Sequence, residues 1–272
     1  MIPAGFDYTV ADSSEAALAA LAEHGDDAKL LAGGHSLIPL LKFRFAAPGV
    51  LVDIGRIDDL SYVREDNGHI AIGALSTHRD VETSGVLRQH APMLAHVASQ
   101  IGDPAVRHRG TIGGSLAHGD PASDLPAALL ALGGSVVAKG PNGEREIAAT
   151  DLFTSFLETA IDPDEMITEI RVPRATGGWS YEKFNRRAQD WAIVAAAVQL
   201  GDEPRVALVN MATTPVRSSA AEQALASGAS AADAGAVAGE GMSPPEDLNG
   251  DAEYRTHLAS VLVERAITAA QT

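Results

Sequence analysis

Two glycine-rich segments carry the residue types that could bind phosphate. They are Ala32-Gly33-Gly34-His35-Ser36, the first glycine loop, and Thr111-Ile112-Gly113-Gly114-Ser115, the second glycine loop. Glycine lets the backbone take positive φ and approach a ligand closely, so that N–H groups converge on an anion while a serine hydroxyl adds a donor. One such segment alone would be interpreted as a tight turn. Two of them predict a long ligand that carries a pyrophosphate.

The two common nucleotide-binding strings are missing. No G-x-G-x-x-G motif follows the first strand, and neither glycine loop continues into the Lys-Ser or Lys-Thr of a Walker A motif. Ser36 and Ser115 also lack the G-x-S-x-G context of a hydrolase nucleophile, which makes a Ser-His-Asp hydrolase a disfavoured alternative. Dinucleotide binding by this chain would therefore use another architecture.

The amino-acid composition excludes several classes of protein. The chain has 272 residues, 46% of them hydrophobic, which is enough for a large core and predicts two domains or subdomains. A net charge of −16 without a cluster of Lys and Arg argues against nucleic-acid binding. The N-terminus has no basic and apolar leader, and no stretch approaches the roughly 20 apolar residues of a membrane span. We expect a cytoplasmic protein without a transmembrane segment.

The cysteine and histidine content limits the metal sites that this chain could form. The chain contains no cysteine, which excludes disulfides, thiolate zinc sites and cysteine-ligated iron–sulfur clusters within it. The histidines lack the H-E-x-x-H spacing that would place two ligands on one helical face. We therefore expect no metal site and ordinary hydrogen-bonding or surface roles for His35, His78, His90, His96, His108 and His118, of which His35 and His118 adjoin the glycine loops.

Hydrophobic periodicity predicts alternating helices and strands around the first glycine loop. Asp12-Ser13-Ser14-Glu15 resembles a capping box and predicts a helix from about Ser14 to His24. Short apolar runs predict strands at Lys29–Ala32 and Val50–Ile54, with a helix starting at Leu37 between them. The loop is thus predicted to connect a strand to a helix.

The middle of the chain predicts more strands and two helices. One helix is expected over Val86–Ile101 and another opens at Asp124, with this aspartate as N-cap and Pro126 in the first turn. Pro141-Asn142-Gly143-Glu144 is typical of a hairpin turn. The predicted strands are Ile70–Gly73, Ser135–Ala138 and Met166–Pro173.

A boundary is predicted at Gly177-Gly178. Three strand-like runs and then helices follow it, a pattern that predicts an α+β module. The expected elements are strands at Tyr181–Asn185, Ile193–Leu200 and Arg205–Met211, two short helices within 217–241, and an amphipathic helix at Ala252–Ala270.

A family resemblance rests on motifs that occur in order over essentially the whole chain. They resemble the signatures of the FAD-binding medium subunits of molybdenum hydroxylases, and most of all those of aerobic carbon monoxide dehydrogenases. The motifs are Ala32–Leu37, Arg107–Ser115, Asp120–Pro126, Tyr181–Lys183, Asp190–Ala192, Pro215–Arg217 and Ala252–Arg255.

The resemblance implies an α+β fold of the vanillyl-alcohol-oxidase (PCMH) type. Two α/β subdomains would hold FAD, and a C-terminal domain with a three-stranded antiparallel sheet and helices would follow. We expect an FAD-binding domain over residues 1–176, with subdomains of about 1–57 and 58–176, and a C-terminal domain over 177–272.

The resemblance also implies the FAD-binding residues. The glycine loops would hold the pyrophosphate and ribityl region, Asp124 and Lys183 would lie near the flavin, and Ile167 would come from a strand beside it. Trp191 stands where relatives tend to carry tyrosine and is interpreted either as a shield on the flavin ring or as a core or interface residue. Ser115 replaces the asparagine common in relatives and keeps only a hydroxyl. The full set is Ala32, Gly33, Gly34, His35, Ser36, Leu37, Thr111, Ile112, Gly113, Gly114, Ser115, Asp124, Ile167, Lys183 and Trp191.

Electron transfer is the function that the resemblance implies. A large subunit would oxidise the substrate at a molybdopterin centre, and a small subunit with two [2Fe–2S] clusters would relay electrons to FAD in this chain. FAD would then reduce an external acceptor such as a quinone. The complex would be a dimer of heterotrimers that associates with the inner face of the membrane. No residue here is expected to act as acid or base on the primary substrate.

Alternatives concern the substrate and the independence of the chain. The complex could oxidise carbon monoxide, or instead an N-heterocycle, a purine or an aldehyde, because that choice is made in the large subunit. A stand-alone FAD-dependent dehydrogenase and a flavin-free scaffold are the two rival functions. We expect valine at Gly33 or Gly114 to abolish FAD binding.

Overall fold

The first layer of the fold is a small parallel sheet. The computed structural model describes residues 2–272, and its first three strands pair in the order β1-β3-β2. Parallel strands need crossover connections, which two helices supply here. Short 3₁₀ turns at Gly25–Asp27 and Asp58–Leu60 accompany them. The elements are β1 (Asp7–Val10), α1 (Ser14–His24), β2 (Ala28–Leu31), α2 (Leu37–Phe43) and β3 (Val50–Asp53).

Register in this sheet places the first glycine loop at an edge. Leu31 and Asp53 are paired at the ends of β2 and β3, and the Ile54 N–H donates to the Leu31 carbonyl at 3.0 Å. The chain after both strands therefore leaves the sheet at the same side. As expected, the first glycine loop connects β2 directly to α2.

The second layer is a five-stranded antiparallel sheet in the order β4-β5-β10-β6-β7. Six helices separate its second and third strands along the chain, and every residue of the last of them, α8, is buried. The elements are β4 (Val63–Asp66), β5 (His69–Gly73), α3 (His78–Thr83), α4 (Gly85–His90), α5 (Pro92–Ser99), α6 (Pro104–Arg107), α7 (Ile112–His118), α8 (Asp124–Leu132), β6 (Ser135–Gly140), β7 (Gly143–Ala148), α9 (Ala149–Leu152), β8 (Phe153–Ser155), β9 (Glu158–Thr159) and β10 (Met166–Pro173).

The third layer is an antiparallel sheet buried on both faces. The three predicted strands form it, and a two-residue strand extends one edge. Along its second strand, Ala195 and Ala197 pack into the core around α8, while Val194 and Ala196 pack with the last helix of the chain. The elements are β11 (Trp179–Phe184), β12 (Val194–Gln199), β13 (Arg205–Val209), β14 (Val216–Arg217), α10 (Ser219–Ala226), α11 (Ala231–Ala236) and α12 (Ala252–Ala270).

Two sequence-based element predictions are wrong in detail. The single helix expected over Val86–Ile101 is two helices, because Ala91 leaves the helical region (φ −145°, ψ 58°) before Pro92, which opens α5. Asp124 is not the N-cap of α8. Ser123 takes that position, and Asp124 is the first residue of the helix. Within residues 2–272, no helix combines the length and the hydropathy that crossing a bilayer requires.

Candidate FAD site at two glycine loops

The first glycine loop exposes backbone donors. Gly34 has a left-handed backbone (φ 76°), and a Cβ built there would lie 2.7 Å from Cδ1 of Ile38. The Ile38 N–H donates to the Gly34 carbonyl at 2.9 Å and starts α2. Within the described chain, the N–H groups of residues 33–36 donate to no backbone carbonyl. Four consecutive donors thus lie in a half-buried loop whose turn requires glycine.

The second glycine loop is the start of α7 and is bound to a neighbouring segment. Thr111 caps the helix by accepting from the Gly114 N–H at 3.2 Å. The Ile112 N–H donates to Ser76 and the Gly113 N–H to Ala74, at 3.0 and 2.9 Å. A Cβ on Gly113 would lie 2.6 Å from the Ala74 Cβ, so this glycine permits close packing. Of the segment 111–115, Gly114 is exposed and Ser115 half-buried.

The first glycine loop contacts the segment that leads into the second glycine loop. A Cβ built on Gly33 would overlap the Arg109 carbonyl oxygen, two residues before the second loop. Gly110, between them, lies under His78: its own Cβ would be 2.6 Å from the His78 Nε2. Gly33 therefore brings the first loop into direct backbone contact with Arg109 and Gly110, immediately before the second loop.

His78 is buried beneath this junction. Its side chain is only 3% exposed, its N–H donates to the Gly110 carbonyl at 2.8 Å, and its Nε2 lies 3.5 Å from the Ser115 hydroxyl. Its Nδ1 has no partner among the described residues. Burial, with smaller contributions from His35 and Arg107, lowers the His78 pKa to about 4. The imidazole is therefore neutral at pH 7, and its role here is packing beneath the second loop.

Asp124 and Lys183, both predicted as flavin residues, form a buried ion pair. The Lys183 Nζ donates to Asp124 Oδ2 at 2.9 Å and to the Gln100 carbonyl at 3.1 Å, and the Tyr181 hydroxyl donates to Asp124 Oδ1. Burial raises the pKa of Asp124 against the opposing effects of Lys183 and Tyr181. Burial and the adjacent carboxylate raise the Tyr181 pKa well above its usual value. The pair joins α8 to β11.

Trp191 lies in the loop between β11 and β12 and is 57% exposed. The alternative that it is a core residue is therefore wrong, while the flavin shield and the interface remain. It lines a cavity of about 590 Å³ with the Asp120-Pro121-Ala122 segment that leads to Asp124, and with Phe156. Ile167 is buried in the core that also contains Ile112, directly behind the second loop.

Metal ligation finds no support in the side-chain arrangement. Across residues 2–272, His, Asp and Glu side chains nowhere gather in a group of three that could hold an ion.

The residues fit a pyrophosphate-bearing cofactor. Side chains at Gly33 or Gly34 would fill the space where the first loop turns, and its N–H groups are the hydrogen-bond donors that phosphate oxygens accept from. The second loop adds Gly114 and the Ser115 hydroxyl at the surface.

Sequence reasoning missed two participants. Tyr181 belongs to a family-like motif but is not predicted as a site residue, although positions i and i+2 of a strand point to the same face and would have placed it beside Lys183. His78 was assigned an ordinary role, and no spacing pattern could have placed it under Gly110. Only the tertiary structure brings them to the site.

Two known domain families match successive parts of the chain. Residues 4–175 match the FAD binding domain in molybdopterin dehydrogenase, and residues 179–270 match the CO dehydrogenase flavoprotein C-terminal domain. The α+β fold expected from the sequence, a PCMH-type FAD-binding domain followed by this C-terminal domain, is thereby confirmed.

Individual relatives agree. The chain is 42% identical to the carbon monoxide dehydrogenase medium chain of Hydrogenophaga pseudoflava, over 99% of this chain and 98% of that one. It is 41% identical to the 6-hydroxypseudooxynicotine dehydrogenase complex subunit alpha of Paenarthrobacter nicotinovorans, over 99% and 96%. It superposes on reconstituted CO dehydrogenase from Oligotropha carboxidovorans with a TM-score of 0.95 at 39% identity, covering 100% and 99% of the chains.

Proposed function

The chain belongs to the family of FAD-binding medium subunits of molybdenum hydroxylases, and we propose that it is the flavin subunit of such a complex. It receives electrons from an iron–sulfur subunit and passes them to an external acceptor. FAD, when bound, supplies the chemistry: it exchanges electrons singly with clusters and in pairs with acceptors. The protein binds and orients it.

The observation that carries the proposal is the contact between the first glycine loop and the segment that leads into the second. Gly33 lies against the backbone of Arg109 and Gly110, which lead into the second loop, and we infer that the N–H groups of residues 33–36 face the same ligand as the surface residues Gly114 and Ser115. We assign the pyrophosphate to these donors. Hydrogen bonds to a charged group contribute about 1.5–3 kcal/mol each, so a few of them are sufficient to hold a dinucleotide. Thr111, Ile112 and Gly113 support the cradle through their bonds and packing, and Ala32 leads into it from β2.

The flavin end of the site is assigned to side chains of α8 and the third sheet. Asp124 and Lys183 would contact the ring system as a fixed, paired unit, and Leu37 and Ile167 would border it. Trp191 would cover one face, since an exposed aromatic ring can stack on flavin. His35, exposed at the loop tip, would contact the phosphate or ribose. The domain boundary at Gly177-Gly178 remains a prediction.

The division of labour among subunits follows from the family, and the composition of this chain agrees with it. Without cysteine, this chain cannot ligate an iron–sulfur cluster by thiolates, so the clusters belong to a small partner subunit. The molybdopterin centre belongs to a large one. A dimer of heterotrimers, a quinone acceptor and a cytoplasmic location, with contact to the inner membrane face through the complex, complete the proposal.

The substrate is not determined by this chain. Its identities to the carbon monoxide dehydrogenase chain and to the 6-hydroxypseudooxynicotine dehydrogenase subunit differ by one percentage point, 42% against 41%. We propose carbon monoxide as the first substrate to test, and an N-heterocycle, purine or aldehyde as the alternatives.

The test uses the native complex, purified through a tag on this chain. We expect FAD in equimolar amount, a cysteine-rich subunit with iron and sulfide, and a large subunit with molybdenum. Anaerobic addition of carbon monoxide should bleach the flavin absorbance near its visible maxima, and one of the alternative substrates should do so if carbon monoxide does not. A complex that releases no FAD on denaturation would contradict the FAD assignment. Turnover by the isolated chain would favour the stand-alone dehydrogenase instead.

A further inference from the structure

Arg255, in the last of the family-like motifs, has an unusual position for a charged residue. It lies in α12 and is completely buried. Its Nη1 donates to the Ile193 carbonyl at 2.5 Å and its Nη2 to Asp247 Oδ1 at 2.7 Å. Its Nε has no partner among the described residues. Burying a guanidinium is costly and is stabilising only when its hydrogen bonds are well made, so this arrangement is unlike that of a residue that merely fills space.

The contact with Ile193 is one of several on the same backbone. The Asn210 side chain donates from Nδ2 to the carbonyls of Ala192 and Ile193, each at 3.3 Å. Asn210 itself has a left-handed backbone (φ 63°), uncommon outside glycine, and its N–H donates to the Pro121 carbonyl at 2.8 Å. Two side chains from separate elements thus converge on two consecutive carbonyls.

Those carbonyls belong to the residues immediately after Trp191. The loop that carries Trp191 runs from Phe184, at the end of β11, to Val194, at the start of β12, and these two residues are paired in the sheet. Its own closing bonds are few: the Ile193 N–H donates to the Phe184 carbonyl at 2.8 Å, the Asp190 N–H to the Arg187 carbonyl at 3.0 Å, and the Asn185 Nδ2 to the Asp190 carbonyl at 3.5 Å. Arg255 and Asn210 supply the remaining anchor at the base.

The cavity of about 590 Å³ beside Asp120-Pro121-Ala122 is also lined by Arg255, Asn210 and Trp191. Arg255, which anchors the loop, is completely buried, whereas Trp191 is 57% exposed. We propose that Arg255 and Asn210 are positioning residues that hold the Ala192 and Ile193 carbonyls, so that Trp191 is fixed over this cavity. A second part, that Trp191 thereby covers one face of the flavin, rests on the proposed function.

The first experiment measures the mobility of Trp191 without any flavin. The chain contains two tryptophans, so a Trp179→Phe background leaves Trp191 as the single reporter. Asn210→Gly removes the side-chain bonds and keeps a residue suited to positive φ. Arg255→Lys keeps the charge but loses the two-pronged geometry, and Arg255→Met removes both. Arg265→Met, on the exposed face of the same helix, is the matched control.

We expect time-resolved fluorescence anisotropy to show an increased fast component in Asn210→Gly and Arg255→Lys. Loss of one hydrogen bond corresponds to about a fivefold shift toward a displaced loop. Arg265→Met should decay like its parent. If Arg255→Met does not fold, the other two variants decide. Unchanged anisotropy in both, with circular dichroism intact, would overturn the positioning role.

The second experiment tests the flavin part in the FAD-loaded chain. Reoxidation of the reduced protein by dioxygen should be about fivefold faster in Asn210→Gly than in the control, because the ring is less covered. Increased mobility with unchanged reoxidation would overturn only the shielding. Failure of the parent chain to bind FAD would overturn the proposed function, while the anisotropy result would still decide the role of Arg255.

Discussion

The two glycine loops share a sequence pattern but differ in what their glycines do. In the first loop the N–H groups of residues 33–36 have no backbone partner among residues 2–272, and Gly34 is left-handed. In the second loop the N–H groups of Ile112 and Gly113 are bound to the 74–76 segment, and neither glycine has a positive φ. The first loop presents donors, and the second is a packed platform against which the first is held.

The difference shows that consecutive glycines with a serine have two physical uses. One is to free backbone donors and turn them outward, and the other is to let two segments approach within the width of a side chain. The sequence alone could not separate these uses. Substitutions at equivalent positions of the two loops should therefore have unequal consequences.

The largest effect is expected from Gly33→Ala. The new methyl group would overlap the Arg109 carbonyl, which belongs to the backbone and cannot rotate away. We expect the loops to separate, with a loss of about 3 kcal/mol or more in the free energy of unfolding and no retained FAD. Urea unfolding and flavin content measure both.

Gly85→Ala is the matched control for that substitution, because a Cβ at Gly85 would contact nothing within 4 Å. It should keep the stability and FAD content of the parent. Normal FAD content in Gly33→Ala would show that the contact between the loops is not needed for the site.

Gly113→Ala should be the next most damaging, and through stability rather than ligand contact. Its methyl group would lie 2.6 Å from the Ala74 Cβ and 2.7 Å from the Ala74 carbonyl oxygen. Overpacking of this kind costs about 1–3 kcal/mol. We expect that loss in the apo-protein. The affinity for FAD should fall less than it would for a residue that touches phosphate. A stable Gly113→Ala chain that no longer binds FAD would reverse the assignment of the two loops.

The free energy of unfolding should depend on pH through His78, which is buried beneath the second glycine loop. Its pKa is about 4 in the folded chain and about 6.5 when unfolded. Between these values only the unfolded state takes up the proton, so stability falls as the pH drops from 6.5 toward 4. From pH 7 to pH 5 the loss is about 2 kcal/mol.

His78→Gln should remove this part of the pH dependence, as measured by urea unfolding at both pH values. His24→Gln, at an exposed position, should leave it unchanged. An identical pH dependence in His78→Gln and the parent would contradict the burial of a neutral imidazole under Gly110.

The smallest effect is expected from Gly114→Ala. A Cβ there meets only the Thr111 hydroxyl, at 2.8 Å, and Gly114 is otherwise exposed. We expect less than about 1 kcal/mol of lost stability and only a modest loss of FAD affinity. The sequence-based expectation is that valine at either Gly33 or Gly114 abolishes FAD binding, whereas the smaller alanine should separate the two positions. Complete loss of FAD in Gly114→Ala would show that the second loop also contacts phosphate closely.

Local features of the fold could be predicted from the sequence where the signal is itself local. The helix at Ala252–Ala270 and the strand at Met166–Pro173 have the predicted bounds, because each has a clear periodicity and a capping or proline signal at its end. β1 is not predicted, because its four residues are all exposed and its alternation of Tyr8 and Val10 with polar residues is too short to indicate a strand. The break before Pro92 was missed because apolar residues continue through it.

The site could be predicted in its members but not in its contacts. The motifs pointed to Asp124 and Lys183 separately, yet their pairing and the bond from Tyr181 depend on how the third sheet packs against α8. The contact between Gly33 and Arg109 likewise joins residues far apart in sequence. Such contacts depend on tertiary packing, and no sequence spacing encodes them.

The central claim is that the free N–H groups of the first loop hold the cofactor phosphate. The most direct test is to titrate the ¹⁵N-labelled apo-chain with FAD and follow the amide resonances by NMR. The account predicts the largest downfield shifts at residues 33–36 and much smaller ones at Ile112 and Gly113, whose N–H groups are already bound. Shifts concentrated at the second loop, or no binding of FAD, would contradict it.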